Sequence, residues 1–128
     1  MNVLCYCPST DERFREILTG LQETSPELGL ELHRSLDSFS SRLRQPGRNI
    51  AVVLLQINDK QTLTDLMTVR SLLNELPVVI IPNDQDQEII KLSYEFKPRV
   101  IIHAFWPTKD ICAVLQRCIG RYGSGGGT

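Results

Sequence analysis

The sequence predicts a doubly wound α/β domain, and three observations predict it. The run IAVVLLQI over 50–57 is strand-sized and apolar but for Gln56, as expected of a strand buried on both faces of a parallel sheet. Shorter apolar runs, VLCYC, PVVII and RVII, recur along the chain. Between them lie segments with apolar residues at helical spacing, so strand and helix alternate, the pattern of βα units joined by right-handed crossovers.

The elements follow in order. VLCYC, closed by Pro8 and Ser9, is a buried first strand. Ser9 with Glu12 fits a capping box, and Phe14, Ile17, Leu18 and Leu21 fall on one face of the first helix. Leu28, Leu30 and Leu32 alternate with Gly29, Glu31 and His33, the pattern of a half-exposed edge strand. Ser35 can cap a weaker second helix with Leu36, Phe39 and Leu43 inward, stopped by Pro46-Gly47. After IAVVLLQI, the residues Leu66, Val69, Leu73 and Leu76 mark one long helix ending before Pro77. PVVIIPND is the fourth strand, and Asp84 with Gln87 can cap a fourth helix carrying Ile89, Leu92 and Phe96 up to Pro98. RVIIHAFWP is the fifth strand, and Thr108 can cap a last helix with Ile111, Val114, Leu115, Cys118 and Tyr122 on its stripe. The result is a (βα)5 chain with a parallel five-stranded sheet. Because the second strand is only half buried it suits an edge, which favours the flavodoxin-like order 2-1-3-4-5.

Composition bounds the rest. A chain of 128 residues is one domain, able to bury a core without disulfides. A net charge of −1 gives no general pull toward nucleic acid or an anionic membrane surface, and no apolar run is long enough to span a bilayer. The N-terminus MNVLCYCPSTD has no basic n-region and does not read as a signal peptide. With no secretory context the four cysteines read as reduced thiols, and the chain as cytoplasmic. The domain is expected over 1–122. The remaining GSGGGT, 123–128, has the composition of a flexible linker, either an expression scar or the start of a tether.

From Val3 to Tyr122 the chain resembles the response-regulator receiver domain. The resemblance rests on the spacing of the five βα units, on LLQIND, on PVVII and on the Phe105-Trp106-Pro107 turn before the last helix. It implies a site at the strand ends: an acidic pair after strand one that holds Mg²⁺, and an aspartate ending strand three that accepts a phosphoryl group. A Thr or Ser ending strand four and a Lys before the proline after strand five respond to that group. At each of those places this sequence departs. The acidic pair falls on Cys7 and Pro8, the acceptor on Gln56, the hydroxyl on Pro82 and the lysine on Trp106, while Pro107 is kept.

The departures have chemical consequences. An amide offers no anionic oxygen to attack phosphorus, so Gln56 cannot form an acyl phosphate. Neither Cys7 nor Pro8 supplies the carboxylate that Mg²⁺ prefers. Pro82 has no hydroxyl and no N–H. Acids and lysine are lost together, which leaves no cation stranded and marks a remodelled site. Asp11, Asp59 and Asp84 also lie near strand ends, but no shift of alignment restores acid pair, acceptor and lysine together.

The expected function is therefore that of a pseudo-receiver: non-catalytic, without metal or cofactor, acting by contact with a protein partner or an attached effector or kinase domain. The resemblance implies that the fourth helix, fifth strand and last helix form the contact or homodimer face. Its positions here are Lys91, Tyr94, Glu95, His103, Phe105, Lys109 and Asp110. The alternative is a small-molecule or redox module on the same fold, using the remodelled pocket or a thiol. Cys5 and Cys7 sit two apart and face one helix layer, whereas Cys112 and Cys118 point to different helix faces; core packing is the stronger reading for all four. Arg34, Arg42, Arg44 and Arg48 cluster around the second helix, interrupted by Glu31 and Asp37, and read as a solvated face. No glycine-rich phosphate loop follows any strand, and Ser9-Thr10 at a helix start is the sole candidate anion nest. Two expectations concern Trp106: that it plugs the vacated site with its N–H on Gln56, and that the Trp106–Pro107 bond is cis.

Overall fold

A computed structural model of the chain describes residues 2–9, 12–46, 49–82, 87–103 and 106–125, with 121–125 described by backbone alone. The strands are β1 (Asn2–Tyr6), β2 (Gly29–His33), β3 (Ile50–Ile57), β4 (Val78–Pro82) and β5 (Val100–Ile101). The helices are α1 (Glu12–Thr24), α2 (Leu36–Leu43), α3 (Lys60–Met67), α4 (Arg70–Leu73), α5 (Gln87–Ser93) and α6 (Thr108–Gly125), with a 3₁₀ turn at Tyr94–Phe96. All four strand pairings are parallel and the order is β2-β1-β3-β4-β5, as the sequence predicts.

Period-two alternation divides the core into two layers. Val3, Cys5, Cys7, Val52, Leu54, Val79 and Ile81 face α1 and α6, where Phe14, Ile17, Leu21, Ile111 and Leu115 meet them. Leu4, Tyr6, Val53, Leu55, Ile57, Val78 and Ile80 face Phe39, Leu43, Leu63, Leu66, Leu73 and Ile89 on the other side. β3 lies between β1 and β4, so from Ala51 onward it is buried on both faces, and Gln56, 1 % exposed, is the one polar residue it buries. The helices α1 and α6 approach closely: a Cβ on Gly20 would stand 2.7 Å from Cys112 Sγ, so that position admits no side chain without movement.

Several local expectations are corrected. The helix expected to run unbroken to Pro77 divides at Thr68 and Val69. There Thr68 Oγ1 donates to the Asp65 carbonyl at 2.6 Å, and the Thr68 and Val69 N–H groups bond three residues back, to Asp65 and Leu66. A hydroxyl competing for the carbonyl ladder tightens the turn, and Val69 leaves helical geometry at φ −113°, ψ 13°. β5 pairs for only two residues, although the Arg99 and Ile102 N–H groups extend its bonding to β4. The Ser9 hydroxyl, expected at the cap of α1, accepts from Asn58 Nδ2 at 2.8 Å, and residues 10 and 11 before α1 lie outside the described residues. The Thr108 hydroxyl likewise turns away from a cap, to Glu16 Oε2 at 3.3 Å.

Among the described side chains of α6 the buried ones are Ile111, Cys112, Leu115 and Ile119, while Val114 and Cys118 lie at the flank, one position round from the expected stripe. Leu32, expected inward, is 49 % exposed at the end of the edge strand, which has β1 alone as a neighbour. α6 continues through Gly125, past Tyr122, whose side chain lies outside the described residues. Gly47, Asp84 and residues 126–128 also lie outside them.

Candidate functional site

The carboxyl ends of the strands bring Cys7, Pro8, Gln56, Pro82 and Trp106 to one end of the sheet. Cys7 is fully buried, and its N–H donates to the His33 carbonyl at 2.9 Å, which carries the β1–β2 ladder one step beyond the strand. Pro8 is half-buried. Gln56 is paired with Ile81 and Ile57 with Pro82, so Gln56 projects on the α1–α6 side, the side of Cys7 and Ile81. Its Oε1 accepts the Ser9 backbone N–H at 3.4 Å. This bond ties the end of β3 to the loop that follows β1, where the amide oxygen does the work of a short-range anchor. Asn58 extends the same link through its bond to Ser9 Oγ, leaving its own Oδ1 without a partner among the described residues.

Trp106 is half-buried, packed against the α1–α6 layer, with its ring 5.8 Å from that of His103 at 60°. The expected plug is thus corrected. The indole covers the site from its rim, and the Gln56 carbonyl oxygen accepts the backbone N–H of Ser9. The Trp106–Pro107 bond is trans. Trans is the intrinsic preference of X–Pro bonds, and the Trp106 carbonyl is held in place from outside the turn.

What holds it is Arg13, which sequence reasoning passed over. From the first turn of α1 its Nη2 donates to the His103 carbonyl at 2.8 Å and to the Trp106 carbonyl at 3.2 Å. The Trp106 N–H closes the turn onto the same His103 oxygen at 3.1 Å. A guanidinium can take two carbonyls with a fixed fork, which a lysine cannot do as well. One signal was present in the sequence: a cation in the first turn of a helix opposes the helix dipole and calls for a partner.

The acidic residues near the site are differently employed. Asp59 caps α3, its Oδ1 accepting from both the N–H and the hydroxyl of Thr62 at 2.9 Å, and those donors hold its carboxyl below the usual range. Asp11 and Asp84 lie outside the described residues, as does Thr10 of the candidate anion nest. Among the described residues no three His, Cys, Asp or Glu side chains come together as metal ligands would. Burial pushes the Cys5 thiol far up and the Cys112 thiol up, so neither is poised as a nucleophile. Cys112 donates to the Ile17 carbonyl at 3.6 Å.

The residues expected on a contact face surround the β5 edge. Lys91, Tyr94 and Glu95 are exposed on α5 and the 3₁₀ turn, over one face of the sheet. Lys109 and Asp110 are exposed on the first turn of α6, over the other face. His103 is half-buried beyond β5, and Phe105 lies outside the described residues. Tyr94, at 62 % exposure, is one of two large apolar side chains so open among the described residues. Of the arginine cluster, Arg42 is committed to Glu31 by two bonds of 2.7 and 3.1 Å, which holds the Glu31 carboxyl low, and Arg48 lies outside the described residues.

The same architecture recurs in solved structures. A response regulator receiver protein from Pseudoalteromonas atlantica superposes with a TM-score of 0.73 at 13 % identity, covering 94 % of this chain and 98 % of its own. This is the receiver fold. A CheY-like receiver domain from Methanospirillum hungatei gives 0.73 at 10 % identity, with 97 % of each chain covered. The signal receiver domain of a two-component histidine kinase from Clostridium thermocellum gives 0.68 at 19 % identity, covering 92 % of this chain and 94 % of that one. No family model matches the sequence, and no curated protein does. The likeness therefore lies in the course of the backbone.

Proposed function

We propose that this chain is a regulatory module of receiver fold that takes no phosphoryl group and acts by contact with a protein partner or an attached domain. Gln56 carries the reading. It occupies the acceptor position, buried at 1 % exposure, and its amide oxygen serves as a structural link to the Ser9 N–H. Around it stand Cys7, Pro8, Pro82 and Trp106, none able to ligate Mg²⁺ as a carboxylate would or to hold a phosphoryl oxygen through a hydroxyl. The contact surface is the β5 edge with Lys91, Tyr94, Glu95, His103, Phe105, Lys109 and Asp110, used toward a partner or toward a second copy. The redox form of the alternative finds little support in thiols as buried as Cys5 and Cys7.

The test is chemical. Incubated with acetyl phosphate and Mg²⁺, or with beryllofluoride, the protein should keep its mass and its amide spectrum. A stoichiometric mass gain mapped to an aspartate, Asp11 and Asp84 included, would overturn the proposal.

A further inference from the structure

The break between α3 and α4 and the turn after the 3₁₀ segment face each other across one groove. Thr68, Arg70, Ser71 and Asn74 form one wall, Glu95 and Lys97 the other, around a volume of about 420 Å³. The groove opens where the chain leads into β4 and β5, at the end of the sheet opposite Gln56. Its size is that of a site for a small metabolite.

Both walls are made at departures from regular backbone. Val69, at φ −113°, ψ 13°, separates α3 from α4, and Arg70 follows it as the first residue of α4. Lys97 holds the left-handed conformation, φ 50°, ψ 54°, at a helix end where glycine is the unstrained choice. Non-glycine residues in that conformation gather at ligand clamps and switch regions, and Lys97 lines this groove. Lysine at that position keeps a cation on the groove that glycine would not supply.

The charges on the walls are poorly satisfied. Arg70 Nη1 stands 3.5 Å from Glu95 Oε2, with side chains 48 % and 57 % exposed, a long and screened pair that is readily exchanged. Lys97 has no ion pair among the described residues, and the side chains of Ser71 and Asn74 have no hydrogen-bond partner among them. A planar fork, a point cation, a hydroxyl and an amide are complementary to a tetrahedral dianion. We propose that this groove binds a small phosphomonoester, with Arg70 and Lys97 on the phosphoryl oxygens in place of the Arg70–Glu95 pair. Glu95, released, accepts hydroxyls of the organic part. Glu95 belongs to the proposed contact face and Tyr94 adjoins it, so an occupied groove changes the charge and order of that face. That consequence rests on the proposed function, whereas the binding itself does not.

The experiment is an amide-shift titration of ¹⁵N-labelled protein at fixed ionic strength with sodium phosphate, adenosine monophosphate, and sodium acetate or chloride as controls. Phosphate and the monophosphate should give saturable shifts at 67–74 and 95–97, with the monophosphate tighter. The pair R70Q/K97Q should lose that response. E95Q, which removes the resident carboxylate at an exposed position, should bind about two- to fivefold more tightly, the scale of an exposed ion pair. The proposal is overturned if the shifts do not saturate, if acetate matches phosphate, if the shifts gather at Arg34 and Arg44, or if E95Q binds no better. Because this binding is reversible and needs no Mg²⁺, its outcome is independent of the phosphodonor test.

Discussion

Replacing Gln56 by glutamate puts a carboxylate of nearly the same shape where the receiver fold would need one for phosphoryl chemistry. Gln56 is 1 % exposed, and its Oε1 accepts a backbone N–H at a long 3.4 Å, so a carboxylate in its place would be almost completely desolvated. Desolvation should raise the carboxyl by roughly 2–3 units above its unfolded value near 4.3, which at about 1.4 kcal/mol per unit costs roughly 3–4 kcal/mol at neutral pH. The sign follows from the direction. A folded-state pKa above the unfolded one destabilises only where the unfolded group is ionised, so the cost is full above the raised value and fades as pH falls toward about 4. Urea melts of Gln56→Glu and the native sequence, paired at pH 7.5 and pH 4.5 and followed by circular dichroism, measure the difference. A cost below about 1 kcal/mol at pH 7.5, the scale of a surface change, would show that the pocket accepts the charge. So would a cost that does not change with pH. Either result would remove the claim that the site has been rebuilt around a neutral amide.

Trp106→Ala should destabilise by roughly 1.5–3 kcal/mol in urea melts, less than the 3–5 of a fully buried aromatic, because the indole covers the core from its rim; a loss of 4 or more would restore the plug. Arg13→Met removes a charged donor shared by two carbonyls and should cost roughly 1–3 kcal/mol, with faster hydrogen exchange at the Trp106 amide. Exchange at Trp106 unchanged from the native protein would show that Arg13 does not secure the turn. Under native conditions a thiol reagent should modify half-buried Cys118 first and reach Cys5 and Cys7 only at the rate of unfolding. Prompt modification of Cys7, mapped by mass spectrometry, would revive the redox alternative.

What could be read in the sequence was whatever a period or a missing functional group announces. An eight-residue run, apolar but for Gln56, marked β3 to the residue, because a strand buried on both faces has no alternation to blur its ends. The weak alternation of 28–33 gave the edge and hence the strand order. The missing carboxylates were legible for the same reason: an amide or a proline at a position rules chemistry out whatever surrounds it. Illegible were the contacts made across long separations. Arg13 finds His103 and Trp106 ninety or more residues away, and no local pattern encodes that meeting. The break at Val69 was hidden because Leu66, Val69 and Leu73 keep helical spacing across it, while the hydroxyl of Thr68 that tightens the turn contributes nothing to that pattern. His103, read as part of the contact face, also lends its carbonyl to Arg13 and to the Trp106 N–H, a role its side chain does not announce.

Because β1 lies between β2 and β3 in space but β3 follows by nearly fifty residues in the chain, the amino-terminal half has no complete sheet of its own to join. As the chain leaves the ribosome, β1, α1 and β2 emerge first, and β1 then has one bare hydrogen-bonding edge along Val3–Tyr6. Such an edge is a template for any passing strand. It is closed only when residues 50–57 arrive, and the same segment brings Gln56 to the Ser9 N–H. A protease cut or a stalled translation before Ile50 would therefore leave a fragment that aggregates, whereas a break after Pro82 would leave β1 covered on both sides.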